Sequence, residues 1–139
     1  CDLHMAESRV GRDRLEYSYD FRSMYDAGIK IPFGTDAPVE PFAPMDNIYC
    51  AVTGMDFDGK PEGGWHTEKL LTLDEAVDCY TAHSAYASFE ENYKGRLLPG
   101  FVADFTVLDR DIFSIPPEDI KNVRPVLTVM GGSVTYRRK

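Results

Sequence analysis

The sequence predicts an α/β fold for residues 1–91, followed by a small β unit in residues 92–139. Two observations predict this division. Up to about Phe89, apolar residues recur at helical spacing, and one short run rich in β-branched residues separates the helical stretches. From Asn92 the spacing becomes strand-like, with turn dipeptides between the apolar runs. We therefore expect helices and one strand first, and a strand-rich unit after them.

The first predicted pair of elements is a helix followed by a buried strand. Residues 11–27 keep near-helical apolar spacing, with charged residues between. Gly28 is placed to end this helix in the left-handed conformation. Residues 29–34 form a short apolar run with β-branched members, which predicts a strand. A helix, a glycine and a short buried strand make up the αβ half of a βαβ repeat.

A proline-stiffened loop follows this strand and carries Asp36. Pro38, Pro41 and Pro44 fall within seven residues, so the backbone is fixed without ladder hydrogen bonds. Ligands of parallel α/β folds bind at the carboxyl ends of strands. A carboxylate held there can bind a cation or take a proton from a metal-bound water. The alternative is an aspartate that caps the next turn, and the local sequence alone favours it.

Prolines, glycines and a capping box indicate where the remaining helices and strands begin and end. Pro44 suits the first turn of a helix that ends at Gly54. Thr72 and Glu75 form a capping box, which predicts a helix to about Phe89. Later elements are a strand over residues 103–109, a helical turn at 116–119, and strands over 126–130 and 133–136 flanking the hairpin signal Gly131-Gly132.

Histidine spacing limits the metal chemistry of the chain alone. His4, His66 and His83 lie far apart, with no H-x-H or H-x-x-x-H spacing. A catalytic zinc site takes about three protein ligands, and Asp36 is the one convincing candidate. His66, at the end of a glycine-rich loop, and Glu40 are candidate substrate contacts. The alternatives are a solvated loop acid for Glu40, and packing or solvation for His83 within its predicted helix.

Composition excludes several functions. The net charge of −8 disfavours binding to nucleic acid or anionic lipid. No stretch approaches the roughly 18 consecutive apolar residues of a membrane span. Three cysteines without C-x-x-C spacing argue against a disulfide framework or a zinc–cysteine cluster. We therefore predict a reducing, cytoplasmic compartment.

Ordered motifs along nearly the whole chain resemble one family. Residues 28–40, which include Gly34-Thr35-Asp36-Ala37-Pro38, resemble the last barrel strand and loop of YtcJ-like members of the amidohydrolase superfamily. Residues 95–109 resemble the superfamily signature G-x-L-x-P-G-x-x-A-D-x-x-V-L-D. Gly11-Arg12-Asp13-Arg14 is similar to the helix that precedes that strand, and Leu73-Asp74-Glu75-Ala76 is similar to the helix after the barrel.

The resemblance implies a fold and a reaction. The fold would be the C-terminal part of a (β/α)8 TIM-like barrel in residues 1–91, followed by β-sandwich strands in residues 92–139. The reaction would be hydrolysis of a small-molecule, non-peptide amide-type C–N bond by a metal-activated water, with zinc or another divalent metal. Asp36 would be both the catalytic aspartate and a metal ligand, passing a proton from water to the leaving nitrogen.

The chain departs from the family in its extent. The family's H-x-H and later barrel ligands, including a histidine shortly before the helix at Gly11, do not occur here. We therefore predict a fragment that is inactive alone and either pairs with the missing N-terminal part or forms a homo-oligomer. Two alternatives stay open. One is a non-catalytic oligomerisation or binding module, and the other is a self-standing hydrolase that uses Asp36, His66 and His83 on one metal.

Overall fold

The computed structural model describes residues 3–139, apart from the side chain of His4. The helices are α1 Leu3–Val10, α2 Arg12–Leu15, α3 Phe21–Asp26, α4 Pro44–Thr53, α5 Leu73–Tyr80 and α6 Ala82–Ala87. Short 3₁₀ helices span Thr67–Lys69 and Pro117–Asn122, and the strands are β1 Phe105–Leu108, β2 Pro125–Met130 and β3 Ser133–Arg137. Helices precede the strand-rich unit, as predicted, but the strand predicted among the helices is not assigned within residues 3–139. Across residues 3–139, every helix is too short or too polar to cross a bilayer.

The helix predicted over residues 11–27 is instead two helices, α2 and α3. Tyr19 has a φ of 53°, which no helix interior accommodates. Asp20 then caps α3, because its side chain accepts a hydrogen bond from the Ser23 amide at 3.1 Å. The prediction of one continuous helix was wrong because apolar spacing continues through this turn. Helix α1 was not predicted.

Residues 29–34, predicted as a strand, form no ladder with another strand among residues 3–139. Their alternate amides donate instead to the helical layer. The acceptors are Met24 O for Ile29 at 3.1 Å, His83 Nδ1 for Ile31 at 3.3 Å, and Cys79 O for Phe33 at 3.0 Å. Amides two residues apart that donate toward one side are typical of extended backbone. We call residues 29–34 the extended segment.

The predicted ends of α4 and the start of α5 are confirmed. Pro44 occupies the first turn of α4, and Gly54 ends it in the left-handed conformation with φ 66°. Thr72 Oγ1 accepts from the Glu75 amide at 3.4 Å, and Glu75 Oε2 accepts from the Thr72 amide at 2.8 Å, which completes the capping box. Thr81, with φ −117° and ψ −83°, breaks the predicted long helix into α5 and α6.

Two apolar clusters hold these elements together. In the larger cluster, Ile48 and Tyr49 of α4 pack with Ala76 of α5 and Ile120 of a 3₁₀ helix. In the second, Ile31 of the extended segment packs with Leu71 and with Cys79 of α5, which is fully buried. Burial of these side chains supplies the main stabilisation. The extended segment is thereby fixed to α5.

The C-terminal strands form one antiparallel sheet in the order β1-β2-β3. The hairpin predicted at Gly131-Gly132 is confirmed, with each of its strands one residue longer than predicted. The amide of Gly132 donates to Ala103 O at 3.0 Å, which ties the turn to the chain before β1. Every residue of β3 is exposed, so one edge of the sheet is uncovered within the described part of the chain.

Candidate functional site

Asp36 lies on a tight turn directly after the extended segment. Its φ of 49° is left-handed, a conformation that aspartate tolerates better than most residues. Its carbonyl accepts from the Val39 amide at 2.9 Å, and the carbonyl of Thr35 accepts from the Glu40 amide at 3.3 Å. The residue is exposed. The turn therefore presents the carboxylate of Asp36 at the surface.

Contacts from α4 and α5 fix the position of this turn. The side-chain amide of Asn47, on α4, donates to Gly34 O at 3.0 Å. The Phe33 amide donates to Cys79 O of α5. The last two residues of the extended segment are thus bound by two different helices. The orientation of Asp36 follows from the packing of those helices.

The described residues do not form a metal centre. No three side chains of His, Cys, Asp or Glu within them lie close enough to hold one ion. His83 is 5% exposed, and its Nδ1 accepts from the Ile31 amide and lies 3.6 Å from Cys79 Sγ. The alternative in which Asp36, His66 and His83 share one metal is therefore wrong. Among the described residues, Asp36 could supply one ligand to a metal ion, but not a complete site.

A cleft of about 270 Å³ lies beside the turn that carries Asp36. Gly34 and Glu40, on either side of that turn, both line it, whereas Asp36 does not. Its walls are mainly aromatic, and the principal side chains are Tyr19, Phe21, Phe33, Phe57 and Trp65, with Glu40, Asn47, His66 and Lys69 as polar members. We call it the aromatic cleft.

Both side chains predicted as substrate contacts line the aromatic cleft. His66 packs edge-on against Trp65, with ring centroids 4.3 Å apart, and its Nδ1 lies 3.0 Å from Glu68 Oε1. Backbone and His66 hydrogen bonds hold the pKa of Glu68 below its ordinary value. Glu40 is half-buried. Both side chains line the cleft, and their role in substrate binding stays a prediction.

Lys69 is a buried cation that the sequence did not single out. It is 8% exposed, and its Nζ donates to Leu15 O at 2.7 Å and Glu16 O at 2.6 Å. A cation at the last carbonyls of α2 satisfies groups that have no partner within that helix. Nothing in the local sequence distinguishes Lys69 from a solvated lysine. Trp65 could have been singled out, as the chain's one tryptophan within a glycine-rich loop.

An ion pair joins α3 to α5. Arg22 Nη1 donates to Glu75 Oε2 at 2.6 Å, and Nη2 donates to Oε1 at 2.8 Å. Arg22 also donates to Asp26 Oδ1 at 2.6 Å. The hydrogen bonds from Arg22 hold the pKa of Glu75 at about 2. This bidentate pair fixes the helix that leads into the extended segment.

Comparisons with known proteins agree with the motifs. The Amidohydrolase family matches residues 1–136. YtcJ of Bacillus subtilis (strain 168) is 31% identical over 137 residues, which is 99% of this chain and 26% of YtcJ. The N-substituted formamide deformylase of Arthrobacter pascens is 28% identical over 120 residues, 86% of this chain and 22% of that enzyme. E. coli guanine deaminase superposes with a TM-score of 0.62 at 19% identity, over 85% of this chain and 30% of the deaminase.

These similarities establish ancestry and fold. The chain spans about a quarter of the length of the curated relatives that it matches. The likeness to guanine deaminase shows a shared fold. The family match covers nearly every residue, including the turn at Asp36 and the signature at residues 95–109. The resemblance predicted from the motifs is confirmed, and the chain belongs to the amidohydrolase family.

Proposed function

We propose that the chain is the C-terminal part of a longer hydrolase that cleaves amide-type, non-peptide C–N bonds, with Asp36 as a catalytic carboxylate. The observation that carries this proposal is the placement of Asp36. It is an exposed acid on a turn that α4 and α5 fix, beside a cleft, in a member of the amidohydrolase family. Two similar proteins are a deformylase of N-substituted formamides and a guanine deaminase, whose names denote C–N cleavage.

The extended segment would be the last strand of a TIM-like barrel. Its alternate amides are bound to the helices that would surround that barrel. Barrel strands pair with neighbouring strands, and the other side of this segment would pair with a strand that the longer protein provides. The exposed strand β3 would likewise pair within a β-sandwich in residues 92–139. Residues 1–91 would form the barrel unit.

Asp36 would act as a general base. Its carboxylate would take a proton from the attacking water and return it to the leaving nitrogen, and the fixed turn would hold it within reach of both. Relatives of this kind typically hold zinc or another divalent metal. Because the described residues supply one donor and no complete centre, we derive no step through a metal. The other donors would come from the longer protein.

The aromatic cleft would bind the substrate. Its walls suit an apolar or aromatic substituent on a small amide-type molecule. Glu40 would accept hydrogen bonds from an N–H of the substrate, and His66 would contact its polar part. The net charge of −8 keeps nucleic acid and anionic membranes outside this proposal. A cytoplasmic location stays part of it.

The test compares Asp36→Asn with Asp58→Asn in the full-length protein. Asp58 is also an exposed loop aspartate, but it lies outside the aromatic cleft. Release of amine or ammonia is measured with a panel of N-substituted formamides and aminopurines. We expect Asp36→Asn to lower kcat about 10²–10⁴-fold at unchanged Tm, as for loss of a general base. Equal activity of the two variants would remove Asp36 from the mechanism.

A second candidate function is a non-catalytic oligomerisation module. Exposed apolar side chains favour it, since Phe89 is 88% exposed, Leu97 72% and Tyr86 52%. Such side chains commonly mark surfaces that another chain covers. Solution mass separates the candidates. A stable homo-oligomer of this chain that has no hydrolase activity would favour the module, and restored activity on adding the upstream part would favour the fragment.

A further inference from the structure

A second cleft lies at the start of the extended segment. Its volume is about 290 Å³, and it shares no lining residue with the aromatic cleft. Its polar lining is Lys30, His83, Glu91, Lys94 and Arg96, and its apolar lining includes Tyr86, Leu98 and Phe101. We call it the basic cleft. Lys30 lines this cleft and Gly34 lines the aromatic cleft, and the two residues lie four positions apart, roughly 13 Å along an extended chain.

The basic cleft carries net positive charge, although the chain as a whole is negatively charged. The chain has 23 acidic and 15 basic residues, whereas the cleft has three cations and one acid, Glu91. Lys94 is neutralised in part by Glu90, at 3.1 Å. Lys30 and Arg96 make no ion pair or hydrogen bond with any other described residue. Two cations thus remain free to bind an anion.

His83 adds a neutral donor to this cleft. Its Nδ1 accepts from the Ile31 amide, so the proton of the neutral ring is on Nε2. Burial lowers the pKa of His83, and the charges of Lys30 and Arg96 lower it further, which favours the neutral ring. The cleft therefore offers cations and an N–H, with Glu91 as its one charged acceptor. Phosphate oxygens are hydrogen-bond acceptors and match this set.

We propose that the basic cleft binds a small phosphate monoester, with Lys30 and Arg96 as its principal contacts. The phosphate would bind between these two cations, and the Nε2–H of His83 would be a further donor. Tyr86, Leu98 and Phe101 would pack against the ester's apolar group. The volume leaves room for that group beside the phosphate. Inorganic phosphate has the same recognition chemistry without the apolar part.

The test is calorimetric titration of the purified protein with phenyl phosphate and with inorganic phosphate at constant ionic strength. We expect saturable binding, tighter for phenyl phosphate. Lys30→Gln and Arg96→Gln should each weaken binding about tenfold or more, because each removes a charge-assisted hydrogen bond. Arg96→Lys should keep most of the affinity. Lys60→Gln is the matched control, since Lys60 is an exposed lysine outside the cleft.

Three outcomes would overturn the proposal. Absence of saturable heat with both ligands would exclude an anion site. If Lys60→Gln weakened phosphate binding as much as Lys30→Gln, the loss would reflect the overall charge of the protein rather than a contact in the cleft. Equal affinity for the two ligands would overturn the monoester assignment. Circular dichroism and Tm identify any variant that has lost its fold, and the shift of the His83 ring resonances on titration locates binding in this cleft.

Discussion

Replacing Glu75 with glutamine isolates the ion pair between α3 and α5. Glutamine can still accept from the Thr72 amide through its one oxygen, so the capping box is kept. The charge is lost together with one of the two hydrogen bonds from Arg22, because an amide NH2 cannot accept. The fall of the Glu75 pKa from 4.5 to about 2 corresponds to about 3 kcal/mol. The side chain is 19% exposed, and water screens the pair with Arg22. We therefore expect Glu75→Gln to lower the free energy of unfolding by about 1–2 kcal/mol at neutral pH.

The pH dependence separates this ion pair from packing. Because the folded carboxyl of Glu75 has the lower pKa, its charged form stabilises the fold above pH 4.5. That stabilisation is lost as the pH falls from 4.5 toward about 2. The difference between wild type and Glu75→Gln should therefore shrink over this window. Urea unfolding, followed by the fluorescence of Trp65, measures it.

Glu62→Gln is the matched control for this experiment. Glu62 is an exposed loop acid, so its replacement should leave the free energy of unfolding nearly unchanged. Two results would refute the reasoning about Glu75. One is a Glu75→Gln variant as stable as Glu62→Gln at neutral pH. The other is a difference from wild type that stays constant down to the lowest pH at which the protein folds.

Two further predictions concern backbone contacts. Gly64→Ala should destabilise by about 2–5 kcal/mol, because its Cβ would lie 2.2 Å from Thr53 O. Gly63 also has a positive φ, but a Cβ there would meet nothing within 4 Å, so Gly63→Ala should cost only about 1–2 kcal/mol. Equal losses of stability for the two variants in urea unfolding would contradict the contact with Thr53. His83→Leu should cost about 1–3 kcal/mol by leaving the buried Ile31 amide without an acceptor. Hydrogen exchange at Ile31 should accelerate, and unchanged exchange would refute that role for His83.

The sequence correctly predicted those helix ends and turns that are determined by neighbouring residues. The capping box at Thr72, the proline at the start of α4 and the hairpin at Gly131-Gly132 are each fixed by residues a few positions apart, and all are observed. The helix over residues 11–27 failed for the opposite reason. The spacing of apolar residues indicates which side chains are buried. It does not reveal a left-handed backbone residue such as Tyr19, which interrupts the predicted helix.

The sequence predicted only part of the candidate site. The residues it missed are positioned by contacts with distant parts of the chain. Asp36 and Glu40 lie on a proline-rich loop and His66 at the end of a glycine-rich one, and these loops made them candidates from the sequence. By contrast, Asn47 and Lys69 act through bonds to residues 13 and about 50 positions away, which sequence spacing does not reveal. Their roles become visible only when the packing of the helices is known.

The left-handed backbone at Asp36 restricts which residues can occupy that position, independently of catalysis. Asparagine shares the tolerance of aspartate for this region, and glycine adopts it without strain, whereas a β-branched residue would have to rebuild the turn. A loss of activity on Asp36→Val would thus combine a lost carboxylate with a displaced loop. The proposed proton transfer requires a carboxylate, whereas the backbone favours aspartate, asparagine or glycine, so aspartate is the residue that meets both requirements at position 36.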